Sequence, residues 1–292
     1  KIRITRFIEG IIMEKYQQIE RSIITTYRSK IWGPFVKALK EYHLLKPNDS
    51  VCVCMSGGKD SFLMAKCFQE LKRHSDFEFE VKYLVMDPGY NKENRELIIE
   101  NAKMMNIPIT IVDSDIFQIT EMTDGKPCYL CARMRRGCLY KNASALGCNK
   151  IALGHHFDDV VETTLMSMFY NGKFQTMMPM VKSDNFEGME LIRPLYLVKE
   201  KDILAWQNFN EIKFLQCACK FTAQTHDYET GAVDSKRKEM KNLVKELRKV
   251  NPTVDMNIFN THHNVNLDTC VAYTKGKKKY HFLDEYEGEN EN

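Results

Sequence analysis

A short apolar segment, a glycine turn and an amphipathic segment follow one another near residue 55, and this succession constrains the fold most. Residues 51–55, Val-Cys-Val-Cys-Met, have the length and apolar content of a buried strand. Ser-Gly-Gly-Lys-Asp-Ser follows at 56–61, and apolar residues then recur at helical spacing over 62–71. Two glycines let the backbone turn sharply, so the N–H groups at the start of the helix can face one anion.

We interpret this turn as an ATP site. Lys59 supplies a positive charge for the phosphates, and Asp60 supplies a carboxylate suited to a hydrated Mg²⁺. The pattern is not the Walker motif, in which Gly-Lys-Ser/Thr follows a longer glycine loop. A solvated turn is the alternative, and the flanking strand and helix disfavour it. The residues assigned to the nucleotide here are Ser56, Gly57, Gly58, Lys59, Asp60 and Ser61.

The periodicity of residues 51–170 predicts an α/β fold, a parallel sheet with helices on both faces. Strands are predicted at 51–55, 79–87, 108–112 and 150–154, and helices at 60–73, 92–105, 115–121, 128–146 and 158–170. Ligands of such sheets bind outside the carboxyl ends of the strands, where the strand order switches. We therefore assign Met86, Gly154 and His155, which end two further strands, to the nucleotide site.

Four segments are predicted along the 292 residues: a helical segment at 1–48, the catalytic domain at 49–195, a helical region at 196–283 and an acidic tail at 284–292. Met13 is an alternative natural start, which would make residues 1–12 an extension. The first twelve residues lack the continuous apolar core of a signal peptide. No stretch approaches the ~18 apolar residues of a membrane span, so we expect a cytoplasmic protein without a membrane partner.

Ten cysteines without a secretory signal indicate reduced thiols or metal ligation. Cys128-Tyr-Leu-Cys131 is a CxxC pair, which fits zinc, redox chemistry or an iron–sulfur cluster. Cys217 and Cys219, about ninety positions later, are the nearest second pair. A cluster held by three cysteines would leave one iron open to a small ligand such as sulfide. The cysteines predicted to be small buried side chains are Cys52, Cys54, Cys67, Cys138 and Cys148.

Several motifs together resemble the TtcA family, the tRNA 2-thiocytidine synthetases, which are iron–sulfur PP-loop enzymes. The resemblance covers about residues 15–265 and holds in the order and spacing of its parts. The matching segments are 56–61, the CxxC at 128–131, Arg-Met-Arg-Arg-Gly-Cys-Leu-Tyr at 133–140, Ile-Ala-Leu-Gly-His-His-Phe-Asp-Asp at 151–159, Ile-Arg-Pro-Leu at 192–195 and Lys-Glu-Lys-Asp-Ile at 199–203. The fold this implies is PP-loop or HUP-like, and thus Rossmann-like.

The resemblance implies ATP- and [4Fe–4S]-dependent tRNA thiolation. ATP with Mg²⁺ would adenylate the C2 oxygen of an anticodon-loop cytidine, and sulfur from the cluster would then replace it with loss of AMP. Lys59, Asp60 and Asp159 are assigned to catalysis; helix N-capping is the alternative for Asp159. Carried over by position, the cluster ligands are Cys128, Cys131 and Cys217, and Cys219 is the second choice because the text at 216–219 is one residue shorter than in the family.

Basic residues are concentrated in three segments although the net charge is only +3. Such runs are usually solvated faces, so their composition alone is weak evidence for nucleic acid. With the resemblance, we assign RNA contacts to Arg133, Arg135, Arg136, Lys236 and Arg237. The expected partners are tRNA and a cysteine desulfurase or other sulfur donor, with a homodimer as the candidate assembly. Thiolation of another base such as uridine, or a non-catalytic iron–sulfur carrier that binds tRNA, are the alternatives.

Overall fold

The computed structural model describes residues 13–121, 127–215 and 234–286. A six-stranded sheet runs through the larger part of it, in the order β3-β2-β1-β4-β6-β5. Every neighbouring pair is parallel except β5 with β6 at one edge, which is antiparallel. The strands are β1 Ser50–Met55, β2 Glu80–Asp87, β3 Ile109–Asp113, β4 Lys150–Ala152, β5 Met180–Lys182 and β6 Glu190–Ile192.

Helices connect the strands and flank the sheet. A π-helical turn, Arg28–Trp32, separates the first two of them. The helices up to residue 250 are α1 Lys15–Ile24, α2 Gly33–Glu41, α3 Lys59–His74, α4 Lys92–Met104, α5 Ile116–Glu121, α6 Pro127–Ala145, α7 Phe157–Asn171, α8 Glu200–Phe209 and α9 Asp234–Val250.

Alternate side chains of β1 pack into two separate cores, one on each face of the sheet. Val51 and Val53 join a core with helices α1 to α4 and α8. Cys52 and Cys54 lie in a smaller core that includes Tyr140 of α6. Because successive side chains of a strand point to opposite faces, this division shows helices on both faces. The predicted α/β fold is confirmed.

The buried free cysteines are divided between the same two cores. Cys52, Cys54, Cys67 and Cys148 are buried, as predicted, and burial raises the pKa of the Cys67 thiol above its ordinary value. Cys138 was also predicted to be buried, but it is only partly so because it lies on a less covered side of α6. These thiols pack as small apolar side chains.

The first helix is held to the core by a buried ammonium group. Lys66 of α3 is fully buried, and its Nζ lies 2.5 Å from Glu20 Oε1 of α1 and donates to the Met105 carbonyl at 2.8 Å. Arg73 Nη1 binds the second oxygen of Glu20 at 2.7 Å. Burial lowers the pKa of Lys66 while Glu20 raises it, and the result is a pKa below the ordinary value.

The chain divides into two compact units, residues 1–241 and 242–292. In the second, Arg248 Nη2 lies 2.9 Å from Asp255 Oδ2, at the start of helix α10, Val254–Asn260. An antiparallel hairpin follows, β7 Ala272–Lys275 with β8 Lys278–His281, and then helix α11, Phe282–Tyr286. The boundaries placed at residues 48, 195 and 283 stay predictions. Among the described residues, no helix is both long and apolar enough to cross a membrane.

Candidate nucleotide site

The glycine turn at residues 56–58 lies at the carboxyl end of β1, where the strand order switches. From β1 the chain builds the sheet outward through β2 and β3, then returns to place β4 on the other side of β1. A crevice between β1 and β4 is the place where parallel sheets of this kind bind ligands. The turn after β1 and the residues after β4 therefore meet at one site.

The turn has a conformation that only glycine adopts easily. Gly57 has a φ of 86°, and a Cβ there would lie 2.8 Å from the Ile98 side chain. The Ser61 hydroxyl donates to the Gly58 carbonyl at 2.9 Å and accepts from the Ser56 N–H at 3.2 Å. Helix α3 begins directly after Gly58, which has no side chain to cap it. Its first N–H groups are thus left for an anion.

Gly154, which follows β4, lies against the first turn of α3. A Cβ at this position would be 3.2 Å from the backbone carbonyl carbon of Asp60 and from the N of Ser61. Those are backbone atoms and cannot rotate away, so a Cβ at Gly154 would push the first turn of α3 away by a few tenths of an ångström. The packing of one strand end against one helix start fixes the shape of the site.

A cavity of about 320 Å³ opens at this edge of the sheet, within the roughly 300–1,000 Å³ typical of ligand pockets. Sequence-predicted residues make up much of its wall. Those that line it are Ser56, Asp60, Ser61, Met86, Arg135, Gly154, His155 and Asp159. Sequence reasoning missed Tyr90, whose hydroxyl donates to the Ser56 carbonyl at 3.3 Å.

Three wall residues carry buried polar atoms without a hydrogen-bond partner in the described part of the chain: Asp60 Oδ1, Arg135 Nε and His155 Nδ1. Burial lowers the pKa of His155 to about 4, against the charge of Asp159, so its ring is neutral at physiological pH. Burial raises the pKa of Asp60 above its ordinary value, although His156 and Lys59 act against this. Buried polar atoms are rarely left unpaired, so this wall is suited to a polar ligand.

Helix α6 contributes Arg135 to the same wall. Arg135 hydrogen-bonds Tyr90 and lies with its guanidinium 5.2 Å from the Phe117 ring centroid. Cys131, one helical turn before Arg135, is half-buried, and its charge adds to the rise in the pKa of Tyr90 that burial causes. The side chain of Cys128 and the whole of Cys217 and Cys219 lie outside the described residues. Within the described ranges, no three His, Cys, Asp or Glu side chains are grouped to hold a metal.

Lys59 lies between two carboxylates. Its Nζ is 3.2 Å from Asp60 Oδ2 and 3.4 Å from Glu200 Oε1. Glu200 is the first residue of α8, and its backbone N–H donates to Asp158 Oδ2 at 2.8 Å. Asp158 thus caps α8 rather than its own helix. The positive charge of Lys59 is therefore balanced by the carboxylates of Asp60 and Glu200.

Asp159 caps α7 and binds an arginine. Its carboxylate accepts from the His156 N–H at 2.9 Å while its own N–H donates to His156 Nδ1 at 3.4 Å, a reciprocal capping box. Arg237 Nη1 of α9 lies 2.5 Å from Asp159 Oδ1 and 3.5 Å from Glu162 Oε2. The guanidinium assigned to RNA from the sequence is therefore already paired within the chain, and its RNA contact stays a prediction.

Comparison with known proteins agrees with this geometry. A family model described as a PP-loop domain matches residues 29–226. A tRNA-cytidine(32) 2-sulfurtransferase of Geotalea uraniireducens is 32% identical over 263 residues, which cover 87% of this chain and 99% of that protein. The chain belongs to the TtcA family of PP-loop proteins.

Two further matches extend the comparison. A TtcA-family protein of Neisseria meningitidis, also a tRNA-cytidine(32) 2-sulfurtransferase, is 37% identical over 62% of this chain and 57% of its own length. The U34-tRNA thiolase NcsA of Methanococcus maripaludis, solved with its [4Fe-4S] cluster, superposes with a TM-score of 0.62 over 89% of this chain and 87% of its own. At 20% identity that likeness concerns the fold.

Two segments of the TtcA resemblance contain buried or half-buried charged residues near the site that were assigned no role from sequence. Glu200 lies in the 199–203 segment, and Arg193 in the 192–195 segment directly after β6. Arg193 is 8% exposed, donates from Nη1 to the Met178 carbonyl, and has a buried Nε without a partner among the described residues. Burial lowers its pKa to about 10. The signal that could have identified Glu200 and Arg193 is that each is a charged residue within a segment that matches the TtcA family.

Proposed function

We propose that this chain is an ATP-dependent tRNA sulfurtransferase that replaces the C2 oxygen of a tRNA cytidine, at position 32, with sulfur. The observation that carries the proposal is one cavity that joins the glycine turn after β1 to the helix that carries Cys131. The names of the relatives that cover most of this chain support the substrate and the position.

In the first step, the cytidine O2 would attack the α-phosphorus of ATP, and pyrophosphate would leave. The free N–H groups at the start of α3 and the ammonium of Lys59 would hold the phosphates. Asp60, with a buried oxygen that lacks a partner among the described residues, is suited to hold Mg²⁺. In the second step, sulfur would attack C2 and AMP would leave.

The cysteines fit an iron–sulfur cluster beside the nucleotide. Cys131 is half-buried next to Tyr90 of the cavity wall, and the Leu215 N–H, two residues before Cys217, donates to the Gly57 carbonyl at 3.2 Å. The described residue Leu215, which precedes the second cysteine segment, thus contacts the glycine turn. We assign the cluster to Cys128, Cys131 and Cys217. When bound, a [4Fe–4S] cluster with three cysteine ligands supplies one iron that is open to sulfur.

The RNA would bind across exposed basic side chains beside the cavity. Arg133 and Arg136 of α6 are exposed, and Lys236 Nζ lies 4.5 Å from the Tyr170 ring centroid, which would offer RNA a cation beside an aromatic ring. We take the cytoplasm, where tRNA and reduced thiols occur together, as the site of action. A cysteine desulfurase or another donor would supply the sulfur, and a homodimer remains the candidate assembly.

Reconstitution tests this function directly. Anaerobically purified protein, loaded with iron and sulfide, is incubated with Mg-ATP, tRNA transcript and excess sulfide as the sulfur source; nucleosides are then analysed by mass spectrometry and pyrophosphate is measured. We expect 2-thiocytidine and tRNA-dependent release of pyrophosphate. Lys59→Ala should lower the rate by about 10²–10³, because one preorganised charge is lost, and should leave the iron content unchanged.

Three results would contradict the proposal. Formation of 2-thiouridine would reassign the base, and tRNA binding without pyrophosphate release would indicate a non-catalytic carrier. Near-normal activity of Lys59→Ala would show that the glycine turn is not the nucleotide site.

A further inference from the structure

Two lysines from distant parts of the chain share one carboxylate at the edge of the nucleotide site. Glu200 Oε1 lies 3.4 Å from Lys59 Nζ, and Glu200 Oε2 lies 2.5 Å from Lys241 Nζ. The Glu200 side chain is only 17% exposed, and Asp158 fixes the start of its helix. Burial acts to raise the pKa of Glu200, but Lys241 and Lys59 together lower it below its ordinary value. The carboxylate is therefore ionised.

The spacing of the basic residues along α9 places Lys241 at this contact. Arg237 and Lys241 are four residues apart, hence on one face of the helix, and both reach carboxylates of the site. Lys238 lies between them in sequence and is exposed on another face. The basic composition of α9 suggested RNA contacts, yet two of its cations are directed to the nucleotide site.

The charge on Glu200 opposes nucleotide binding in two ways. It holds Lys59, which must move to or share its charge with a triphosphate, and it repels the phosphates themselves. A second cation on the same carboxylate offsets both effects. Opposite charges about 3–4 Å apart interact strongly where water is partly excluded, so the balance depends on whether Lys241 is present.

We propose that Lys241 is a positioning residue for ATP: by neutralising Glu200 from α9, it releases Lys59 of the glycine turn to bind phosphate. The inference rests on the proposed ATP site and adds a residue to it. Lys241 acts through Glu200 and has no direct contact with the nucleotide.

A double-mutant cycle tests this role. The Kd for Mg-ATP is measured by calorimetry on the anaerobically purified, cluster-loaded full chain and on Lys241→Ala, Glu200→Gln and the double variant. Lys241→Ala should weaken binding about threefold to tenfold, somewhat more than an exposed pair would because Glu200 is half-enclosed. In the Glu200→Gln background the same change should alter Kd less than about twofold, because no carboxylate remains to be neutralised.

Two further variants complete the design. Lys241→Arg keeps the charge and should retain the wild-type Kd, whereas Lys238→Ala, on the same helix, should leave the ATP affinity unchanged. Thermal melts check folding, and Lys241→Gln replaces Lys241→Ala if that variant melts early.

The opposing outcomes are distinct. Equal losses of affinity in the two Glu200 backgrounds would mean that Lys241 binds phosphate directly, and would overturn the inference. An unchanged ATP Kd, with weaker binding of an anticodon stem-loop, would make Lys241 an RNA contact and overturn it too. If the wild-type chain did not bind Mg-ATP at all, the proposed function would fail, and this inference with it.

Discussion

The carboxyl groups near the cavity differ in pKa because burial raises the pKa of each while neighbouring positive charges lower it. Burial raises the pKa of Glu162 to about 7, although Arg237 at 3.5 Å lowers it. The same Arg237 nitrogen lies 2.5 Å from Asp159. Burial also acts to raise the pKa of Asp159, but His156, His155 and Arg237 outweigh it, and the pKa is lowered. The guanidinium of Arg237 thus contacts both carboxyl groups, yet the pKa of Asp159 is lowered whereas that of Glu162 is raised.

Glu162→Gln should stabilise the protein at alkaline but not at acid pH. Because the folded-state pKa of Glu162 lies above its ordinary 4.5, its contribution to stability is fully present below about pH 4.5 and is lost as the pH rises through about 7. Glutamine removes that pH dependence. Urea unfolding should show nearly equal stability near pH 4 and a gain of up to roughly 3 kcal/mol near pH 8.

The exposed Glu246→Gln is the control, because its side chain is 63% exposed and should show no such gain. A Glu162→Gln variant that is less stable than the wild type near pH 8 would mean that the ion pair with Arg237 outweighs the cost of burial.

At this scale the sequence predicted residues that lie within one local pattern. Ser56 and Gly154 could be assigned because Ser56 directly follows β1 and Gly154 lies two residues after β4, and both strands are recognisable in the sequence. Glu200 and Lys241 could not, because Glu200 reaches Lys59, and Lys241 reaches Glu200, only after α8 and α9 have packed on the domain. Local periodicity carries no information about which distant charges will meet.

Among the secondary-structure elements, the chain just after β4 packs closely against the start of α3. Gly154 allows the end of β4 to lie against the first turn of α3, with backbone atoms 3.2 Å from where a Cβ would be. That same turn of α3 carries the N–H groups and the lysine offered to the phosphates. A change at this contact alters the spacing between strand end and helix start.

Gly154→Ala should weaken Mg-ATP binding about tenfold and destabilise the fold by about 1–3 kcal/mol, because the methyl group forces the helix start away from the strand. Calorimetry and denaturant unfolding measure the two effects. Gly137→Ala is the matched control: it lies inside α6, a Cβ there would meet nothing within 4 Å, and helix propensity favours alanine. An unchanged ATP affinity in Gly154→Ala would contradict this account of the contact.

The longer elements were predicted well, whereas the short strands β5 and β6 were missed. Strands β1 and β2, of six and eight residues, show their apolar content in the sequence. Strands β5 and β6 have three residues each, too few to show a period of two. The hairpin β7–β8 was also missed, since its alternation is masked by exposed lysines on both strands.

On the scale of the whole molecule, the glycine turn is the point where distant segments converge. Tyr90 links Ser56 to Arg135, one helical turn beyond Cys131, and Leu215 binds Gly57 just before Cys217. The segments that carry the proposed cluster ligands are about ninety residues apart in sequence. Only the tertiary fold brings Tyr90 and Leu215 to the same turn.

Cys217→Ala should lose the cluster, whereas Cys219→Ala should retain it. The register from the 199–203 segment favours Cys217, and residues two apart cannot easily both bind one iron corner. Iron analysis and the visible absorption of the anaerobically reconstituted protein measure the cluster. Loss only in Cys219→Ala would move the ligand by two positions. Stoichiometric zinc without iron in the wild type would replace the cluster by another kind of metal site.

The folded domain includes helix α1, which precedes the residues that match the PP-loop family model. The PP-loop match starts at residue 29, beyond α1, but Glu20 of α1 is the partner of the fully buried Lys66. Removing one member of a buried ion pair costs about 3–5 kcal/mol, out of the roughly 5–15 kcal/mol that stabilise a typical domain. A chain that began at residue 29 would keep the whole glycine turn but would lose much of the free energy that keeps the domain folded.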